Sequence, residues 1–163
     1  MTVFKKELRA HFASFLVWSA GVGGLMALCV WMYPSFAGSM EDVSALFAGM
    51  GDFSAAFGLD KLAFGSIMGF YGTECGNILG MGGAFFAALT GMALLAGEEG
   101  GRTAEFLLTH PVPRLRLTLE KLGALAALVR GLNLIALACG AGSILAVSEE
   151  AVWGDLLRFH AAQ

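Results

Sequence analysis

The sequence predicts an all-α membrane protein with about three transmembrane helices, a short helix between the second and third, and an amphipathic helix after the first. Three observations carry this. Of the 163 residues 57% are hydrophobic and only 14% charged, against about 25% charged in soluble domains. The apolar residues fall into three long blocks, and spanning the hydrocarbon core takes roughly 20 apolar helical residues. Lys and Arg are shared unequally between the intervening segments. The net charge of -3 gives no reason to expect a nucleic-acid partner. Cys29, Cys75 and Cys139 lack any CxxC or Cys/His spacing, so they read as small packing residues, not as a metal or disulfide framework.

Block one, residues 12–33, is 22 residues without a charge, FASFLVWSAGVGGLMALCVWMY. It is too long for a signal-peptide core and ends in bulky aromatics, not in a small-residue cleavage site. Trp31 and Tyr33 suit the headgroup level, and Pro34 is expected to stop the helix. Ahead of it Phe4, Leu8, Phe12 and Phe15 recur at helical spacing with Lys5, Lys6 and Arg9 on other faces. That segment is either an interfacial helix or a polar start to a long first helix. In the loop of residues 34–75, Met40, Val43, Phe47 and Met50 have a period near 3.6 and predict a short amphipathic helix that Gly51 ends.

Block two, residues 76–96, is again uncharged. Small residues stand four apart in two rows: Gly76, Gly80, Ala84 and Ala88, and separately Gly83, Ala87 and Gly91. Such rows let helix backbones approach closely and predict packing on two sides. Block three, residues 122–147, is interrupted only by Arg130. Arg130 lies roughly 13 Å into the helix by its rise. Interfacial anchoring is the favoured reading, with a buried functional charge as the alternative. Glu74, at the far edge of block two, is read in the same way.

Basic residues number three before block one (Lys5, Lys6, Arg9), one between blocks one and two (Lys61), and four between blocks two and three (Arg102, Arg114, Arg116, Lys121). The positive-inside rule then places the N-terminus and the 97–121 loop in the cytoplasm. In that loop, GEEGGRTAEFLLTHPVPRLRLTLEK, Thr103 can cap a short helix from Ala104 to His110. Glu105 sits in its first turn and Pro111 stops it. Pro113 can then open the helix that becomes the third span.

Here the chain resembles the bacterial ABC type-2 transporter permeases, which carry a pattern close to E-E-x-x-G-T-x-E-F-L-L-x-x-P-[VI]-[ST]-R at this place. Glu98, Glu99, Thr103, Glu105, Phe106, Leu107, Leu108, Pro111, Val112 and Arg114 match in order. The opening is similar too, with Tyr33, Pro34, Ser35 and Phe36 after the first span, and Tyr71 with Glu74 where the second begins. The resemblance implies that Glu98, Glu99, Arg102, Thr103, Glu105, Phe106, Leu107, Pro111 and Arg114 form a coupling segment that docks on a separate ABC ATP-binding subunit. It implies an exporter permease in the bacterial cytoplasmic (inner) membrane, completed by a second permease copy or half. Arg102 and Pro113 depart from the family's usual glycine and serine or threonine. Three spans are half the family's usual six, and Trp153 to Phe159 read as the lead toward a fourth, so an N-terminal half is expected.

No G-x-x-x-x-G-K-[ST] surrounds any of the four lysines, so no cofactor is expected on this chain and ATP would be bound by the partner. His11, His110 and His160 have no nucleophile beside them in sequence, and no catalytic constellation is predicted. A small membrane accessory protein and a non-functional permease fragment are the rival readings, both distinguishable by whether an ATPase partner exists.

Overall fold

In the computed structural model, residues 2–51, 66–100, 113–147 and 153–163 are described, and among them there are helices and no strands. We number them α1 (Thr2–Ala10), α2 (Phe12–Gly49), α3 (Ile67–Phe70), a π-helical turn (Tyr71–Cys75), α4 (Gly76–Gly100), α5 (Arg114–Val147) and α6 (Trp153–Ala162). Three stretches, Phe12–Ser39, Ile67–Gly97 and Leu115–Val147, are long and apolar enough to cross a membrane. This is the all-helical, three-span class that the block lengths predict.

Packing partners fix the directions of the helices. Phe4 lies on Gly123, Phe15 on Gly131 and Cys139 on Gly23, so α1–α2 and α5 run parallel. Numbers fall on α4 as they rise on α2: Trp18 stacks on Phe86 at 6.2 Å, and Tyr33 on Phe70 at 5.1 Å. The middle helix is therefore antiparallel to both. The shared core includes Val22, Met26, Val30, Leu79, Phe86, Leu128, Leu132 and Ala136, spaced three and four apart as a helix face requires. With lipid outside as apolar as the core, this contact works through close packing more than through water exclusion. Large apolar side chains such as Val17, Trp31, Met81, Leu95 and Leu134 accordingly face outward.

Two expectations change. Pro34 does not stop the first helix; α2 runs through it to Gly49. Proline removes its own N–H bond and crowds the preceding turn. Ending the helix there would instead expose a full turn of unpaired carbonyls, which is the worse outcome in an apolar setting. The amphipathic segment 40–50 is consequently the distal end of α2, not a separate helix. It terminates at Gly51, whose φ of +53° lies in the left-handed region that glycine adopts without Cβ strain.

The lead-in resolves as well. His11 N donates to Glu7 O at 3.0 Å and Phe15 N to His11 O at 2.9 Å, so helical bonding continues across the junction. Phe4 reaches Gly123, and Phe4 N donates to Glu120 Oε2 at 3.2 Å. The lead-in is thus a polar start to a long first helix that rises beside α5.

Finally, α6 folds back along α5, which it meets through His160 and Asn133, and along the π turn, where Phe159 covers Gly76. It runs antiparallel to α5.

Candidate functional site

Two groups of polar residues stand out, one at the N-terminal end of the bundle and one inside it. At the end carrying the N-terminus, α4 extends past the uncharged block to Gly100, and Glu98 and Glu99 lie in its last turn. Arg114 is the first residue of α5, and Arg116 N and Leu117 N both donate to Pro113 O, at 3.0 and 3.3 Å. Pro113 suits this place because its lost N–H would be unpaired at a helix start in any case. Arg102, Thr103, Glu105, Phe106, Leu107 and Pro111, together with the helix expected from Ala104 to His110, lie outside the described residues.

The two helices that bracket this segment are tied together. Lys121 Nζ, buried, donates to Leu94 O at 2.6 Å, joining α5 to α4. Glu120 accepts from Phe4 N with one oxygen and from Arg116 Nε, at 3.3 Å, with the other, joining α5 to α1. Charge-assisted bonds of this kind are worth about 1.5–3 kcal/mol when buried and less when wet. Lys5, Lys6 and Arg9 line a concave patch on α1 at the same end.

The second group lies deeper. Tyr71 Oη is 2.9 Å from His160 Nε2, and His160 Nδ1 is 2.6 Å from Asn133 Oδ1. Asn133 Nδ2 donates to His160 O at 3.0 Å. That last bond orients the amide, so Oδ1 must accept from Nδ1–H. Nδ1 therefore carries a proton, and in the neutral imidazole Nε2 accepts from the Tyr71 hydroxyl. Each of the three side chains Tyr71, His160 and Asn133 thus finds a hydrogen-bond partner within the bundle, as an apolar surrounding demands. Asn133 stands near the middle of the apolar stretch Leu115–Val147.

Local sequence explains the geometry. The wide π turn Tyr71–Cys75 rotates Tyr71 into the bundle, where it is fully buried; such turns recur at functional sites. Gly140 makes room for it, since a Cβ there would overlap the tyrosine ring. Phe159 meets Tyr71 edge-to-face at 5.5 Å. Sequence reasoning noted Tyr71 but missed Asn133 and His160. An amide in an otherwise apolar span needs a partner, and that was the available signal.

The glycine rows divide. Gly76 meets Phe159, and Gly91 meets Leu125 at 3.6 Å from a built Cβ. Gly80 and Gly83 have nothing within 4 Å, Ala84 is exposed and Ala87 half-buried. The tightest approach on this helix is made by Gly82, where a Cβ would stand 2.7 Å from Val22. Glu74 is exposed on the π turn and Arg130 is exposed on α5. Among the described residues no three His, Cys, Asp or Glu side chains are placed to hold a metal ion.

Comparison with curated proteins and with solved structures returned no match. A family model described as ABC-2 family transporter protein matches residues 1–163. With its three spans of alternating direction and this match over its length, the chain belongs to the ABC-2 family transporter proteins, membrane permease components of ABC transporters.

Proposed function

We propose that the chain is a permease subunit of an ATP-driven exporter that couples to a separate ATPase subunit through residues 98–114. The observation that supports this best is the bracing of that segment. Glu98 and Glu99 end one spanning helix, Arg114 begins the next, and Lys121 bonds the two helices together a short way in. A push on the segment is thus delivered to α4 and α5 as a unit, and through Glu120 to α1. The ATPase performs hydrolysis; this chain contributes the path and the lever. The N-terminus and the coupling segment face the cytoplasm of a bacterial inner membrane, in keeping with the basic residues at that end. The open surface at Gly80, Gly83 and Ala84 is suited to close packing by a second permease copy or half.

The test is co-purification in mild detergent of the wild type and of a Glu105→Ala, Phe106→Ala double variant. An ATP-binding subunit recovered with the wild type and lost with the variant is the expected result. An ATPase held equally by both would place the coupling elsewhere, and no ATPase in either would leave the accessory-protein reading.

A further inference from the structure

Arg130 is the only charged residue between Lys121 and Glu149, and it forms no ion pair or hydrogen bond among the described residues. A cation inside an apolar span is costly when unpaired, so its partner has to be sought outside the chain as described. The side chain borders a cavity of about 270 Å³ between α5 and α6, lined also by Asn133, Leu134, Leu137, Leu157 and His160. The lining is graded along the helix. Because Phe15 lies on Gly131 and Cys139 on Gly23, Arg130 stands level with the start of the uncharged block 12–33, whereas Leu134 and Leu137 lead toward the middle of that block, about 10 Å from Arg130 to Leu137 by helix rise. Asn133 gives one amide N–H to His160 O and keeps a second.

We propose that this cleft holds an anionic phospholipid from the leaflet on the N-terminal side of the bundle. The phosphate is paired with Arg130 and the start of one acyl chain lies on Leu134 and Leu137. The polarity gradient matches a lipid of that leaflet and is reversed for one of the other. The guanidinium fork binds two phosphate oxygens at once, and its long stem lets it reach toward the headgroup level. The free N–H of Asn133 supplies a further donor. His160 is committed to Tyr71 and Asn133 and contributes shape, not charge. The proposal depends on membrane insertion alone and stands apart from coupling to an ATPase.

Native mass spectrometry of the purified full chain, titrated with phosphatidylglycerol and with phosphatidylcholine of the same acyl chains, tests it. The expected result is a first phosphatidylglycerol bound about tenfold more tightly than phosphatidylcholine, as one charge-assisted pair would give. Arg130→Gln should abolish that preference, Arg130→Lys should reduce it, and Leu137→Trp should weaken both lipids. Replacing Lys5, Lys6 and Arg9 by Gln should leave the first-lipid preference in place, and millimolar inorganic phosphate should not displace the lipid. Helicity by circular dichroism confirms that each variant is folded, and Arg130→Lys carries the test if Arg130→Gln does not fold. An unchanged preference in Arg130→Gln overturns the proposal. So does displacement by inorganic phosphate, or loss of self-association in Arg130→Gln with lipid binding intact, which would assign Arg130 to a partner's carboxylate.

Discussion

The N-terminal end of the bundle and its interior solve the same problem, joining helices through polar groups, with different chemistry. At the N-terminal end the links are ionic and partly wet: Lys121 to Leu94 O, and Glu120 to Phe4 N and Arg116. Deeper in, at α6, they join side chains without an ion pair: Tyr71, His160 and Asn133 bonded in a row. Depth explains the difference. Near water a charged group that loses its partner is resolvated, so its bonds can break and re-form at small cost. In the apolar interior an orphaned polar group has no such refuge. The N-terminal end is suited to move under a docked partner, and the interior to remain fixed while it does.

This contrast ranks the effects of substitution. Gly140→Leu should be the most damaging, because Tyr71 already occupies the space beyond the glycine and overpacking costs about 1–3 kcal/mol or more. The measurement is thermal unfolding in detergent; an unaltered midpoint would mean that Tyr71 does not sit there. His160→Ala comes next, at about 2 kcal/mol, since it leaves the buried Tyr71 hydroxyl and the Asn133 Oδ1 without their imidazole partner. Tyr71→Phe in the same background should then cost less than it does alone, as expected for one network. Lys121→Met should cost about 1 kcal/mol or less in stability, because Leu94 O belongs to an intact helix and its end of the bundle is near water. Its larger effect should be on ATPase activity stimulated by the chain. Glu120→Gln is expected to be smallest, within about 0.5 kcal/mol, because the amide oxygen can still accept from Phe4 N, while the Arg116 guanidinium that loses its partner is exposed and returns to water. If Glu120→Gln proved as damaging as His160→Ala, the distinction between a yielding end and a fixed interior would fail.

Much of this architecture was legible in the chain. Residues 12–33, 76–96 and 122–147 announced three spans because charge is absent, or in the third limited to Arg130, over lengths that only a bilayer requires. Pro34 misled because the rule that proline stops helices is learned where water can take up the freed carbonyls. The glycine rows were visible, but which of them meets a neighbour depends on the other helix: Gly82 opposes Val22 and Gly140 opposes Tyr71, pairings set by tertiary register and not by spacing within one helix. The Tyr71–His160–Asn133 chain joins residues 27 to 89 positions apart and has no local signature. The proposed coupling segment is the reverse case, read from its resemblance at Glu98, Glu99, Thr103, Glu105, Phe106 and Pro111, with most of it outside the described residues.

The central claim, that residues 98–114 transmit force from an ATPase, is tested most directly by site-specific cross-linking in native membranes. Cys29, Cys75 and Cys139 would be replaced by Ala, and single cysteines introduced by Leu107→Cys and, at the opposite end of the bundle, Leu46→Cys. The account predicts a cross-link from position 107 to an ATP-binding subunit whose yield changes when ATP is added, and none from position 46. Cross-linking from position 46, or no ATPase adduct at position 107 in membranes that contain the subunit, would contradict it.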